Sequence, residues 1–430
     1  MTDLRELTPT KLGTRVWLGV IIVGLVGQIA WAVENLYLNV FVYDTITDDP
    51  NAIALMVALS AVSATLATLL IGPLSDRIGK RRLFITGGYV IWGISTMLFG
   101  LITVDAIAPL VPFLSAVAAA TAAVILLDCL MSFLGASAND ASFNAWVTDV
   151  TEPSNRGRVE SVIAAMPLIA MLLVFGGLDG LTKAGDWQLF FVVVGVLMIA
   201  AGLVALVLIR DVPGEPKQEE RLLRAIVHGL RPSAVRENPR LYLALAALAI
   251  LGVSTQVFLP YLIIYVQRYL QIEAYALVLA VVLTGSAIVS VLGGRVIDRI
   301  GKVNAMLPAA AIYLAGLVIM VFARGLIGVI LAGLVMMSGW MLTTAAIAAS
   351  VRDYSPIDRV GMVQGLRMIA YVLIPMVLGP FIGAAVIRNA DEYYEDLGQL
   401  KQVPTPGIFV AAAVVVLFVV IPVQALRRRK

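Results

Sequence analysis

Three carboxylates lie inside long apolar stretches, where a charged side chain is costly to place. Glu34 falls about two-thirds of the way along the stretch 15–43, and Asp128 and Asp140 lie about three helical turns apart in the stretch 110–148. A charge near the centre of a bilayer is rarely tolerated without a role, so an intramembrane carboxylate is a candidate for solute binding or proton transfer. We therefore predict that these three residues line or adjoin a functional site.

Hydrogen-bonding and aromatic side chains occur at helical spacing around these carboxylates. Asn144 follows Asp140 by four residues, on the same face of a helix. Three residues share a face beside Glu34, namely Gln28, Trp31 and Asn35. An aromatic ring beside carboxylates and amides suits a sugar, because its C–H face stacks while its hydroxyl groups form hydrogen bonds. Alternatively, polar side chains of this kind only join neighbouring helices.

The second half of the sequence has fewer polar groups within its apolar stretches. Its candidates for the same cavity are Gln256, Trp340, Gln364 and Arg367. Arg367 could be the counter-ion of a cavity carboxylate, or its guanidinium group could extend to the membrane surface.

The composition indicates that membrane-spanning helices position these residues. The chain of 430 residues is 60% hydrophobic and 14% charged, with a mean hydropathy of +0.95. A soluble domain carries about 25% charged residues, so a soluble enzyme with a polar surface is excluded. Because a spanning helix needs about 20 apolar residues, we predict an all-α membrane protein with twelve transmembrane helices. Their predicted ranges are 15–43, 51–75, 83–104, 110–148, 158–180, 188–210, 240–270, 274–298, 304–323, 326–350, 360–388 and 406–426.

One stretch is too long for a single straight crossing. We predict that residues 106–118, which contain Pro109 and Pro112, form an oblique or re-entrant segment before the fourth span. A thirteenth span at this point would place every later loop on the opposite side of the membrane. The distribution of basic and acidic residues in the loops argues against that arrangement.

Basic and acidic loops alternate between the two sides of the predicted membrane. The basic side carries Lys80–Arg82, residues 210–240 and Arg427–Lys430, and the opposite side carries Asp44, Asp48 and residues 391–396. Loops rich in Lys and Arg stay in the cytoplasm, so we predict cytoplasmic N- and C-termini. The net charge of +3 then reflects topology and not nucleic-acid binding. Short loops and a single cysteine, Cys129, suit the plasma membrane of a bacterium or archaeon.

A five-residue repeat divides the sequence into two halves. Asp76–Lys80 recurs letter for letter as Asp298–Lys302, and each copy directly follows a predicted span. Duplication of this kind is typical of secondary transporters, whose substrate site lies between the halves at the bilayer midplane. We predict six-helix bundles at 1–210 and 239–430, joined by a cytoplasmic linker at 211–238.

The repeated loops are candidates for a conformational latch. Glycines let the helices approach and turn tightly, and Arg77 could pair with a carboxylate such as Asp149. The predicted latch residues are Gly72, Asp76, Arg77, Gly79, Lys80, Gly294, Asp298, Arg299 and Gly301.

The loop Gly72–Arg82 resembles the signature loop between helices 2 and 3 of the major facilitator superfamily. The copy Gly294–Lys302 falls where the second half of that family repeats the loop. The resemblance implies a transporter with two bundles, which alternates between inward-facing and outward-facing states with the signature loop as a latch.

The region 140–158 is similar to helix 4 and the following loop of the glycoside–pentoside–hexuronide:cation symporters. This resemblance implies that Asp140 takes part in sugar binding. The sodium-coupled members carry two helix 2 aspartates, and Ser60 and Ala64 occupy those positions in this sequence. Sodium coupling is therefore disfavoured, and proton coupling through Asp140 or Glu34 replaces it.

These observations predict a proton-coupled symporter of a sugar or glycoside. The alternative is a proton-driven exporter of drugs or other amphipathic solutes, which would share the fold and the latch. We expect no enzymatic activity, no cofactor and no metal site, since the single histidine, His228, lies in the linker. The expected partners are a small-molecule substrate, a coupling proton and the lipid bilayer, with the protein acting as a monomer.

Overall fold

Twelve long apolar helices dominate the structure, a computed structural model that describes residues 12–211, 229–356, 360–396 and 399–428. Within these residues, the number of helices long enough to cross a membrane agrees with the prediction. Spans 1 to 12 are Thr14–Thr45, Pro50–Ser75, Arg81–Leu101, Ala116–Val150, Arg158–Gly177, Trp187–Leu208, Pro239–Tyr269, Tyr275–Ile297, Lys302–Phe322, Gly325–Tyr354, Met362–Ala390 and Gly407–Arg428.

The connection between spans 3 and 4 does not cross the membrane. It contains two short helical turns, Val104–Ile107 and Ala108–Leu110, and span 4 begins only at Ala116. The side chain of Phe113 is 83% exposed. The predicted oblique segment is thus a surface connection, and the thirteenth span does not form.

The two halves of the chain contact each other through two pairs of helices. Span 2 packs against span 11, and span 5 packs against span 8. The short helix Pro232–Glu237 leads into span 7, whose first turn is capped by the Asn238 side chain. The proposed domain boundaries stay a prediction, and most of the predicted linker, including His228, lies outside the described residues.

Glycines bring some helices of each half into direct backbone contact. A Cβ atom on Gly339 of span 10 would lie 2.2 Å from the backbone nitrogen of Tyr313 on span 9. In the first half, a Cβ atom on Gly88 of span 3 would lie 2.5 Å from the Cβ atom of Ala138 on span 4. Small residues of this kind allow close helix packing in membranes, so these glycines determine how tightly each bundle closes.

A β-hairpin and several acidic residues lie at one end of the molecule, which we call the acidic end. Strand β1, Tyr393–Asp396, pairs antiparallel with strand β2, Gln399–Gln402, between spans 11 and 12. The backbone nitrogen of Gln402 donates to Oδ2 of Asp48 at 2.7 Å. The hairpin therefore joins the second half to the connection between spans 1 and 2.

The two signature loops lie at the opposite end, which we call the loop end. The helix of span 2 continues to Ile78 and ends at Gly79, whose φ of +69° favours glycine. The corresponding Gly301 after span 8 has a φ of +86°. These turns agree with the role predicted for Gly79 and Gly301. A Cβ atom on Gly72 or Gly294 would meet no described atom within 4 Å, so these two glycines do not bring helices into close contact.

Each signature loop forms an ion pair with a neighbouring span of its own half. Arg81 Nε lies 2.5 Å from Oδ2 of Asp149 at the end of span 4, and Lys302 Nζ lies 2.6 Å from Oδ2 of Asp353 at the end of span 10. The expected partner of Asp149 was Arg77, but the Arg77 side chain is exposed because the helix of span 2 turns it away. The side chains of Asp76 and Asp298 lie outside the described residues.

Candidate functional site

A cavity of about 520 Å³ lies between the two halves of the chain. The first half contributes polar and aromatic side chains from spans 1, 2 and 4, namely Gln28, Trp31, Glu34, Asn35, Ser60 and Asp140. The second half contributes such side chains from spans 7, 10 and 11, namely Thr255, Gln256, Trp340 and Tyr371. Most of the predicted site residues thus meet in one cavity.

Widened helical turns hold the cavity residues that carry charge. The segment Val33–Tyr37 in span 1, which contains Glu34, is a π-helix, and so is Ala136–Phe143 in span 4, which contains Asp140. A π-helical turn closes its hydrogen bonds over five residues instead of four, and such turns occur frequently at functional sites. The wider turns change which side chains face the cavity beyond each carboxylate.

Asp140 is held by a polar network that extends into span 3. The side-chain amide of Asn139 donates to Oδ1 of Asp140 at 3.1 Å. The Tyr89 hydroxyl lies 3.0 Å from Oδ1 of Asn139 and 2.8 Å from the carbonyl oxygen of Val23. The Trp31 ring also lies next to Asp140. This network orients the carboxylate of Asp140 at the cavity wall.

Trp31 has a fixed orientation because it packs against a second tryptophan. The ring centroids of Trp31 and Trp92 are 5.3 Å apart, with the planes tilted by 54°. Trp92 is fully buried, so it supports the cavity-lining ring from behind. One aromatic face is thereby positioned beside Asp140 before any solute binds.

Glu34 connects the cavity to a deeper carboxylate. The Ser132 hydroxyl donates to Oε1 of Glu34 at 2.6 Å, while Oε2 is buried without a hydrogen-bond partner. Asp128, one turn before Ser132 on span 4, is 1% exposed and does not line the cavity. The structure therefore places Asp128 behind Glu34 and not among the solute-facing residues.

Besides Asp128, three residues predicted for the cavity do not line it. Asn144 is exposed, and its amide nitrogen donates to the backbone carbonyl of Asp140 at 3.2 Å. Because the π-helical segment adds residues to the turn, Asn144 loses the alignment with Asp140 that an α-helix would provide. Gln364 is exposed and Arg367 is half-buried, and span 11 presents Tyr371 to the cavity instead.

Several residues of the site have no clear signal in the sequence. Thr255 and Tyr371 line the cavity, whereas Asn139 and Ser132 hold the two carboxylates from behind. Only Ser132 had a usable signal, because it follows Asp128 by four residues and so shares its helical face.

Comparisons with known proteins agree with this architecture. A sequence profile of the Major Facilitator Superfamily matches residues 16–326 and 244–430. A search among curated protein sequences finds no significant match. The structure is similar to the nucleoside transporter NupG, with a TM-score of 0.68, 14% identity and coverage of 96% of this chain and 98% of that one.

Two further solved structures share the fold. The xylose transporter XylE from E. coli, in a partially occluded inward-open conformation, has a TM-score of 0.65 at 13% identity, covering 94% of this chain and 96% of XylE. A bacterial homologue of the human lysosomal transporter Spinster, in an inward-facing conformation, has a TM-score of 0.62 at 16% identity and covers 97% of each chain. Since the profile match covers nearly the whole chain and the fold agrees with it, this protein belongs to the Major Facilitator Superfamily of membrane transporters.

Proposed function

We propose that this transporter imports a neutral glycoside, a free sugar or a nucleoside, together with a proton. The observation that carries the proposal is the cavity between the halves, in which Asp140 and Glu34 meet amide and aromatic side chains from both halves. Its volume of about 520 Å³ lies within the range of about 300–1,000 Å³ that is usual for small-molecule sites.

The lining chemistry fits a ring with several hydroxyl groups. Trp31 and Trp340 offer flat apolar faces, and Gln28, Asn35 and Gln256 offer amide donors and acceptors. The carboxylate of Asp140 can accept hydrogen bonds from solute hydroxyl groups. Since the side chains that would contact the solute come from both halves, a rocking motion of the halves would open the site to one side of the membrane at a time.

The structural relatives support the same class of solute. NupG is described as a nucleoside transporter and XylE as a xylose transporter. A nucleoside is an N-glycoside of a pentose, and xylose is a pentose, so both carry a five-carbon sugar. Membership of the glycoside–pentoside–hexuronide:cation branch remains a prediction that these distant similarities do not test.

The position of the cavity carboxylates supports proton coupling. Asp140 and Glu34 line the same cavity as the side chains proposed to bind the sugar, so protonation and solute binding can affect each other. A buried carboxyl group in such a site can take up and release a proton as the cavity changes its exposure.

We infer that the protein works as a monomer in a bacterial or archaeal plasma membrane, with the loop end in the cytoplasm.

A second candidate function is proton-driven export of cationic amphipathic solutes. Among the described residues that line the cavity, none carries a positive charge, so Asp140 and Glu34 face it without a cationic neighbour. Carboxylates beside aromatic rings attract organic cations as well as sugars. The amides of the lining favour the glycoside, and a direct assay separates the two functions.

The test is solute-evoked pH change in a lightly buffered suspension of cells that produce the protein. D-xylose, melibiose, uridine and adenosine are added separately to cells with the native protein, the Asp140→Asn variant or the Asn144→Ala variant. We expect one solute to make the medium more alkaline, with the response lost in Asp140→Asn and kept in Asn144→Ala, which lies outside the cavity.

A different pattern would contradict the import proposal. No pH response to any of the four solutes, with the protein present in the membrane, would count against glycoside symport. Extrusion of a cationic dye that depends on Asp140 would then establish the exporter instead. A glycoside response that survives in Asp140→Asn would remove this residue from the site.

A further inference from the structure

Two buried carboxyl groups lie near each other between spans 1 and 4. Glu34 is 7% exposed and Asp128 is 1% exposed, and Asp128 lies one helical turn from Ser132, which contacts Glu34. Ser132 donates to Glu34 from the face of span 4 that also carries Asp128. Oε2 of Glu34 and Oδ1 of Asp128 are both buried without a hydrogen-bond partner. We call these two residues the carboxyl pair.

The surroundings of the carboxyl pair supply no compensating positive charge. Asp140 and the Cys129 thiol, both on span 4, are ionisable groups close to the pair, and neither carries a positive charge. Span 2, which packs against span 4, has no ionisable side chain between Pro50 and Ser75 and presents the Ser60 hydroxyl to Asp128.

The other elements packed nearby contribute two tyrosines that are already engaged. Tyr89 of span 3 contacts Asn139. Tyr261, in the segment beside the π-helical turn of span 1, lies 3.0 Å from the carbonyl oxygen of Pro50. Neither tyrosine provides a charge that could neutralise a carboxylate.

Two ionised carboxylates in this position would be strongly destabilising. Each loses its hydration on burial, and their mutual repulsion is large at short distance in a medium of low dielectric constant. Buried carboxylates that share a site relieve this repulsion by retaining a proton. The two unpartnered oxygens are where such a proton, or a second one, can be held.

The two members of the pair have different environments. Glu34 accepts a hydrogen bond from Ser132 and lines the cavity, so it can exchange protons with the cavity. Asp128 is enclosed and has no access to the cavity lining. Asp128 is therefore the member of the pair that is better shielded from the cavity.

We propose that Glu34 and Asp128 form a proton-binding site separate from the solute contacts of Asp140. The pair retains one proton on Asp128 throughout the cycle and takes up the transported proton at Glu34 from the cavity. The pair thus alternates between one bound proton and two, and it is never fully ionised. Its role in transport rests on the proposed proton symport, whereas its protonation does not depend on any solute.

The test is infrared spectroscopy of the purified full-length protein in lipid nanodiscs, with the pH raised in steps. A protonated carboxyl group gives a carbonyl stretching band that shifts in deuterated buffer. We expect the native protein to keep one such band at alkaline pH. The band should disappear in Asp128→Asn and remain in Asp140→Asn and in Glu34→Gln, where Asp128 is still enclosed and has lost its charged neighbour.

Each alternative result overturns a stated part of the inference. Absence of the band from the native protein at alkaline pH would show that the pair retains no proton, whatever the variants do. Persistence of the band in folded Asp128→Asn would place the proton elsewhere. Loss of the native band when sodium replaces choline at constant ionic strength would show that the pair binds sodium in place of the proton.

The transport assay and the spectroscopic test fail independently. If no solute is transported with a proton but the band behaves as expected, the proton site stands and the proposed function is wrong. If symport is observed but the band is absent, the function stands and the carboxyl pair is not the proton site. Thermal unfolding of each variant confirms that it is folded before its spectrum is interpreted.

Discussion

Arg268 on span 7 forms a 2.8 Å ion pair with Asp44 near the end of span 1, and so joins the two halves of the transporter. The hydroxyl group of Tyr275 on span 8 also donates to Asp179, which follows span 5. In the described part of the chain, the polar contacts between the halves cluster at the acidic end. This conformation is therefore closed at the acidic end, which the predicted topology places outside the cell.

Removal of the Arg268 guanidinium group should loosen the acidic end. Both partners of this ion pair are partly exposed, so Arg268→Ala should cost about 1 kcal/mol and shift the open population about fivefold. Hydrogen–deuterium exchange should rise at residues 46–49 and in the β-hairpin. The matched control is Lys302→Ala, which removes an ion pair within the second half at the loop end. Equal exchange in both variants would show that Arg268 does not close this end.

Asp149 should be energetically coupled to Arg81 and not to Arg77. A double-mutant cycle of Arg81→Gln with Asp149→Asn should give an interaction energy of about 1–3 kcal/mol, because a charge-assisted hydrogen bond is lost. The cycle of Arg77→Gln with Asp149→Asn should be additive, since the Arg77 side chain is exposed. Thermal unfolding of the purified proteins measures both cycles, and coupling only to Arg77 would contradict the observed pairing.

Two glutamines of the second half should differ sharply in their contribution to solute binding. Gln256 lines the cavity, whereas Gln364 on span 11 is exposed outside it. Gln256→Ala should weaken binding of the transported glycoside by about 1–2 kcal/mol, or about 5- to 30-fold, through a lost hydrogen bond. Gln364→Ala should leave the affinity unchanged. Isothermal titration calorimetry measures both, and a larger effect at Gln364 would mean that span 11 faces the solute differently.

Neighbouring glycines on span 3 should respond oppositely to the same substitution. A Cβ atom on Gly88 would lie 2.5 Å from the Cβ atom of Ala138, whereas a Cβ atom on Gly87 would meet no atom within 4 Å. Gly88→Ala should therefore lower the free energy of unfolding by about 1–3 kcal/mol, since spans 3 and 4 must separate. Gly87→Ala should be neutral or stabilise the helix by about 0.5–1 kcal/mol. Similar melting temperatures for both variants would refute this packing arrangement.

The sequence alone was enough to predict the membrane architecture. Twelve spans follow from apolar stretches of sufficient length, because every spanning backbone must satisfy its hydrogen bonds within a helix. The same argument identified Glu34 and Asp140, since a carboxylate inside such a stretch is costly unless it has a role. Gly79 and Gly301 at the signature loops also take the turn conformations that their positions indicated.

The tertiary structure decided which polar side chains share the site. Asn139 and not Asn144 supports Asp140, because a π-helical segment changes the helical alignment that an α-helical spacing assumes. Arg81 and not Arg77 pairs with Asp149, because the helix of span 2 extends into the signature loop as far as Ile78. The placement of Asp128 behind Glu34 depends on contacts between spans 1 and 4, and residues 98 positions apart in the chain leave no local pattern that could reveal them.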